Sequence, residues 1–570
     1  MRPGVLAVRT ANEYRRRDVV SYLALRFMFH AESAKRDRWA TEIASDLTLT
    51  RTNLPYRHSR VYRGVTERGL IDYRDLYFPG PAEMLAEASL LQECMRAGGA
   101  FERGACVYSN VLADFDSRHG MIDPYFRWWK TRQSDIARTA STIPDGLVLF
   151  FDIKTFYSAV SQGLAVDSWR VAVQKSELPR RAAALGEKLL SDYARVASKS
   201  GALLMGPMFA HMMGNLVLRA FDAAMTAAAP GAYFRYVDDI AIVVPDIHHN
   251  MKKIVQQNLP NGLILNESKT LQMNAGEWAR RTQSFASESG ARYWVRLVSA
   301  LQYFLVTHSD KSSRLLALFR DEGIRLPVRD YAHSARTRGY LERLRMRLMQ
   351  PWFDRALAPS TPEDVLKTAQ EARREILFRF LRAAQRGIAG EGMERKFDVR
   401  FLRYAAGRLL YLASPSELGT VEKSIENVLE LTDLHAIYRA LRTNDVSALL
   451  PFSGAVAQAA AQLLASVGQP VQCEHVSWPS ELQFAWAVLR IFGVDFRAGA
   501  SAPPSESPIV RLATGEPLSR GVFTDFDDYY REVFSLRRNP TVPPDALLLD
   551  AFDTDEPPVF DALDLLRMSS

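Results

Sequence analysis

The chain has 570 residues, a formal net charge of +7 and a pI near 9.1. That length holds about three or four domain-sized units with ample buried core, and the basic balance points to a polyanionic partner. Its three cysteines, Cys94, Cys106 and Cys473, are too few and too scattered for a disulfide framework or a zinc site, so a reducing cytoplasm is the expected location.

The first residues, Met1-Arg2-Pro3-Gly4-Val5-Leu6-Ala7-Val8-Arg9, contain no apolar stretch of signal length. No later run reaches the roughly 20 residues of a membrane span, so no membrane partner is expected. The first chemistry-bearing segment is Leu147-Val148-Leu149-Phe150-Phe151-Asp152, an apolar run of strand length that ends on a carboxylate. Gly206-Pro207 then marks a turn ahead of an apolar stretch.

Phe234-Arg235-Tyr236-Val237-Asp238-Asp239-Ile240-Ala241-Ile242-Val243-Val244 predicts a tight hairpin with two carboxylates at its apex, since Asp is a poor strand former but tolerates turns. Asp527-Asp528, by contrast, reads as a solvated turn. Two hydrophobic strands that each deliver Asp to one sheet end make a hard-oxygen site for Mg²⁺ or Mn²⁺. Asp152 and Asp238 bridging two ions would suit phosphoryl transfer, with an activated hydroxyl and a neutralised pyrophosphate.

Arginines crowd positions Arg325, Arg329, Arg336, Arg338, Arg343, Arg345 and Arg347, a run that is either a solvated helix face or a grip on nucleic-acid backbone. The sequence changes character at Leu357-Ala358-Pro359-Ser360-Thr361-Pro362-Glu363-Asp364, a breaker followed by a helix start. Further helix starts are read at Ser414-Pro415-Ser416-Glu417, Asn444-Asp445 and Ser477-Trp478-Pro479-Ser480-Glu481. Amphipathic stretches such as Val421 to Leu431 and Leu482 to Ile491 follow them. Serial short helices without one clean period predict a HEAT-like helical array, with an ordinary bundle as the alternative. Ala502-Pro503-Pro504-Ser505-Glu506-Ser507-Pro508 reads as a linker. The tail beyond it is acidic, with Asp545, Asp550, Asp553, Asp555, Glu556, Asp561 and Asp564 expected to dock on a basic groove.

The strand ending at Asp152 and the Tyr236-Val237-Asp238-Asp239 box resemble motifs A and C of reverse transcriptases. Gly201 to Leu216 resembles motif B, Gly262-Leu263-Ile264-Leu265-Asn266-Glu267-Ser268-Lys269-Thr270 resembles motif D, and the order is the family's. The resemblance implies metal ligation by Asp152 and Asp238, a supporting carboxylate at Asp239 and a metal contact from the Ile153 carbonyl. It further implies a steric gate against the ribose 2′-hydroxyl at Tyr157, nucleotide contact at Gly206 and a general acid at Lys269. Tyr73-Arg74-Asp75-Leu76-Tyr77-Phe78-Pro79-Gly80-Pro81 resembles the fingers segment, where Arg74 would meet the triphosphate through its planar fork.

Neither an RNase H domain nor a maturase region is visible. A palm of this kind with a long helical C-terminal region most resembles the bacterial abortive-infection reverse transcriptases of phage defence, of the AbiK and Abi-P2 type. The Arg-x₄₋₆-His spacing of the AbiA-type ribonuclease is not found around His435 or His475.

The fold class implied is an α+β fingers-palm right hand followed by an all-α helical region. Its expected domains are an N-terminal region with fingers (1–140), a palm (141–310), a thumb-replacing helical domain (311–500) and a linker with acidic tail (501–570). The function implied is template-independent, protein-primed synthesis from dNTPs with two Mg²⁺ or Mn²⁺ ions. The single-stranded DNA product stays attached to the protein, often within a homo-oligomer. No rule identifies the priming residue among 21 tyrosines.

Departures from the family are Met205 in place of a Gln before Gly206, and no recognisable primer grip in Arg292-Tyr293-Trp294-Val295-Arg296-Leu297-Val298. The alternatives are an RNA-templated reverse transcriptase and a non-catalytic nucleic-acid-binding scaffold. Three carboxylates held together against mutual repulsion argue against the scaffold.

Overall fold

The computed structural model describes residues 4–30, 39–66, 68–114, 120–123, 125–197, 201, 203–245, 250–328, 359–388, 390–515 and 526–536. These form a mixed α and β structure, mainly helical, with two small antiparallel sheets. Of the arginine run, only Arg325 falls among them. Its guanidinium is buried on the carbonyls of Leu410 and Ala413, so that arginine braces a helix end. The acidic residues from Asp545 onward lie outside the described residues.

The first sheet is a hairpin of β1 (Tyr56–Val65) and β2 (Ile71–Pro79), with Val61 opposite Arg74. The second runs β4-β5-β3-β6, where β3 is Leu147–Asp152, β4 is Tyr233–Tyr236, β5 is Asp239–Val244 and β6 is Leu271–Asn274. β3 is apolar from Leu147 to Phe151 because both of its faces are covered. Val148 and Phe150 face one core cluster with Ala241, Val243, Trp278 and Phe397. Phe151 packs in the other with Ile240, Ile242 and the helix Met208–Val217.

The period of two along a strand then fixes where the carboxylates go. Asp152 shares the side of Val148 and Phe150, and Asp239 shares the side of Ala241 and Val243. The two stand directly opposite one another in the β3–β5 register.

The C-terminal helices pack in succession and close back on the hairpin. Pro362–Arg386 opens with a reciprocal cap between Thr361 and Asp364, and Pro415–Ile425 with one between Ser414 and Glu417, as the sequence signature predicts. The stretch read as Val421 to Leu431 is instead the end of that helix, a break after Ile425 and a short 3₁₀ turn at Leu429–Leu431. Asn444 does not start a helix. It ends Thr432–Thr443 in the left-handed conformation, which Asn tolerates better than most residues.

Beyond the 501–507 stretch, Pro508–Thr514 packs on Ser480–Ile491, and Asp528–Leu536 packs against Val19–His30. Asp527 accepts from the Tyr530 N–H, so this exposed pair caps a helix. Buried Arg57 of β1 joins these ends of the chain: it pairs with Asp18 at 2.5 Å and lies over the Phe484 and Tyr529 rings. Arg60 reaches Glu481 at 2.6 Å, and Tyr73 donates to the Pro451 carbonyl. The hairpin that carries Arg74 is therefore held from behind by the C-terminal helices. Among the described residues, no helix is long and apolar enough to cross a membrane.

Candidate active site

β4 and β5 are joined by Val237-Asp238, with Tyr236 opposite Asp239. Val237 has φ +55°, a conformation that a β-branched residue adopts only under constraint. The constraint is a hydrogen-bonded brace beneath the turn. The Val237 N–H donates to the buried Ser109 hydroxyl at 2.7 Å, and its carbonyl accepts from Arg235 at 2.8 Å. Arg235, fully buried, forks onto Asp222 at 2.7 and 2.6 Å. Asn215 joins by donating to the Ser109 carbonyl. Asn110 and Thr155, also at positive φ, flank the same region.

Each carboxylate has a different environment. Asp239 receives Arg132, a fully buried residue of the helix Tyr125–Thr142, at 3.3 Å on both oxygens, and Arg132 also donates to its carbonyl. Asp152 receives Lys269 Nζ at 3.2 Å on one oxygen and Asn266 Nδ2 at 3.2 Å on the other. Asp238, in the turn, has its carboxyl pushed up to about 6, by desolvation first and by repulsion from Asp152 second. The strand end is locked to the turn, since the Ile153 N–H donates to the Asp238 carbonyl at 3.0 Å.

Arg74 comes to this cluster from the hairpin. Desolvation and the neighbouring Arg63 hold its pKa below the ordinary value, while Asp238, Tyr157 and Asp72 pull it up. Tyr157 is buried, with its hydroxyl 2.7 Å from His211 Nδ1. Burial raises the phenol's pKa well above the ordinary value, with Asp238 adding to it, so the ring is neutral. Burial likewise keeps His211 uncharged.

Gly206 lies against the hairpin. A Cβ there would lie 2.3 Å from the Tyr77 carbonyl, and Tyr77 N–H bonds to the Met205 carbonyl at 2.8 Å. It lets the loop at Met205-Gly206 lie against β2, the strand that carries Arg74. The structure thus brings Asp152, Asp238, Asp239 and Lys269 together, with Arg74 and Tyr157 beside them and Gly206 as a backbone joint. Arg132, Ser109 and Asp222 are not among the residues the sequence singles out.

Among the described residues, no three His, Cys, Asp or Glu side chains stand close enough to hold a metal ion by themselves. The donor set still fits Mg²⁺ or Mn²⁺. It is all hard oxygen, it carries surplus negative charge at Asp238, and Mg²⁺ characteristically takes only one or two carboxylates and completes its shell with substrate phosphates and water. Lys269 meanwhile stands where a counter-cation would balance Asp152.

The chain matches no protein-family model, and no curated protein matches it significantly.

Proposed function

We propose that this chain is a reverse-transcriptase-like DNA polymerase of bacterial phage defence, working in the cytoplasm. The observation that carries the reading is the meeting of Asp152, Asp238 and Asp239 at one sheet end, with Arg74 and Tyr157 on one flank. Paired carboxylates with a facing guanidinium suit a nucleoside triphosphate: hard oxygens for the cation that accompanies it, and a planar fork for its phosphates.

Asp152 and Asp238 would hold Mg²⁺ or Mn²⁺, which supplies charge neutralisation and hydroxyl activation when bound. Arg74 binds the β and γ phosphates of the incoming dNTP. Tyr157, pinned by His211, fills the space where a 2′-hydroxyl would sit. The acceptor hydroxyl oxygen forms a bond to the α-phosphorus as the bond to pyrophosphate breaks. The acceptor's proton passes to solvent, and Lys269 donates one to the departing pyrophosphate. Arg132 holds Asp239 in orientation.

The synthesis is template-independent and protein-primed, leaving single-stranded DNA covalently attached within a homo-oligomer. The C-terminal helices form a HEAT-like region in place of a thumb. Supporting this is the way those helices close on the hairpin through Arg57, Arg60 and Tyr73, an arrangement that makes them part of the polymerase body.

The reading is tested by supplying Mg²⁺ and each labelled dNTP with no nucleic acid, then with an RNA template and primer. Incorporation in both, or in the first alone, and none by Asp238→Asn, supports it. Incorporation only with template, complementary to it, replaces it by an RNA-templated reverse transcriptase. No incorporation in either leaves a non-catalytic scaffold.

A further inference from the structure

The flank of the carboxylates away from Arg74 is built by the C-terminal helical region. Met393 and Phe397 of the helix Gly392–Leu412 are buried on the same sheet face as Val148 and Phe150. The Phe397 ring lies 4.8 Å from Trp278, which lies 4.7 Å from Phe150. Arg281 reaches Glu394 at 3.5 Å and Asp398 at 3.8 Å, which ties the start of this helix to the helix Ala275–Glu288.

Residue 396 follows Met393 by three and precedes Phe397 by one, so it lies at the margin of the buried stripe. That is Lys396. It is exposed and makes no salt bridge among the described residues. Crowding by the surrounding protein lowers its ammonium pKa, and the charges that act on it are Asp239, Lys269 and Asp152. Arg74, by contrast, responds to Asp238 and Tyr157, and Tyr157 belongs to the core on the other side of the sheet. Arg74 of the hairpin and Lys396 of the C-terminal helices thus lie on opposite flanks of the carboxylate row, near enough for its charges to act on each.

Phosphoryl transfer places the attacking and leaving oxygens roughly in line across the phosphorus. With the triphosphate on the Arg74 flank, the strand being extended falls on the Asp239 flank. We propose that Lys396 is the acceptor-strand contact of this site, its ammonium binding a backbone phosphate of the DNA that is extended. The C-terminal helical region thereby contributes a substrate-binding residue. The direction of the assignment rests on the polymerase reading.

The test is binding of a labelled oligodeoxythymidine, by fluorescence anisotropy over a range of salt, to the full chain and to Lys396→Ala, Lys396→Arg and Arg74→Ala. Mg²⁺-dTTP affinity is measured in parallel, and the thermal midpoint checks folding. Lys396→Ala should weaken oligonucleotide binding about tenfold, the scale of one charged hydrogen bond. It should flatten the slope of log K against log salt by about 0.7 and leave dTTP affinity unchanged. Lys396→Arg should restore most of the loss, and Arg74→Ala should weaken dTTP instead. Unchanged oligonucleotide affinity in Lys396→Ala, equal loss of dTTP affinity, or no oligonucleotide binding by the unaltered chain overturns the assignment. Failure of the polymerase reading shows separately, as absence of nucleotide incorporation by a chain that still binds the oligonucleotide through Lys396.

Discussion

Arg132 grips Asp239 across a gap of more than one hundred residues in sequence, with its guanidinium 3.3 Å from both carboxylate oxygens and no exposure of its own. Asp152 stands opposite Asp239 in the sheet, where like charges repel, so this grip is what allows three carboxylates to share one strand end. Arg132→Ala leaves that repulsion uncompensated. It is expected to cost roughly 2–4 kcal/mol in urea unfolding, the scale of a broken partly buried pair. Added Mg²⁺ should recover part of the loss.

Asp238 carries the opposite sign of effect. Its carboxyl rises from an ordinary 3.8 to about 6 on folding, so between those values the folded chain binds more protons than the unfolded one. In the absence of metal, stability should therefore fall as pH climbs from about 4 to about 7. Asp238→Asn removes this charge and should stabilise the metal-free protein at pH 7.5 by on the order of 1 kcal/mol, after allowance for solvent screening, with little effect near pH 4. Mg²⁺ should raise the melting temperature of the unaltered chain and not that of the variant. Calorimetry across pH, with and without Mg²⁺, checks both.

The Arg235–Asp222 fork holds the turn through the Val237 carbonyl. Asp222→Ala strands a buried guanidinium and should cost about 3–5 kcal/mol. Asp222→Asn, which keeps the shape, should cost less stability and still lower nucleotide incorporation, because the turn that presents Asp238 loses its brace.

Gly206→Ala meets both a close approach and a forbidden backbone: the new Cβ would sit 2.3 Å from the Tyr77 carbonyl at φ +123°. The loop must leave β2, at a cost of more than about 2 kcal/mol. Arg74 should move with the strand, so nucleotide affinity should fall even where the variant stays folded.

Tyr157 is fixed by its hydrogen bond to His211 and packs edge-on to Phe156. Tyr157→Ala removes the ring that the polymerase reading places at the sugar. Under the polymerase reading it should raise ribonucleotide use relative to deoxyribonucleotide use by about tenfold or more, whereas Tyr157→Phe should leave that ratio near its starting value. Parallel incorporation of ATP and dATP measures it.

How much was legible depended on the range of the interaction. β3 and the β4–β5 hairpin follow from local pattern, because an apolar run ending on Asp and a Val-Asp turn specify their own geometry. The capping signatures at Thr361 and Ser414 were local as well. Asp222, 13 residues before Arg235, sits in no local pattern that marks it, and Arg132 and Ser109 were not legible, since their partners Asp239 and Val237 lie more than one hundred residues away. Lys396 looked like any solvated lysine, for the same reason. Asp527-Asp528 shows the converse: the same dipeptide that presents carboxylates at the hairpin caps a helix there, and what distinguishes them is the flanking β-branched residues.

Under the polymerase reading, nucleotidyl transfer leaves DNA on the protein. The direct measurement is to incubate the purified chain with Mg²⁺ and labelled dNTPs, without template or primer, and to run it on a denaturing gel before and after protease beside Asp238→Asn. The expected result is label that migrates with the protein, shifts upward in mass, is released by protease and is absent from the variant. Label that is absent from the unaltered chain, or that runs free of the protein before protease, would contradict it.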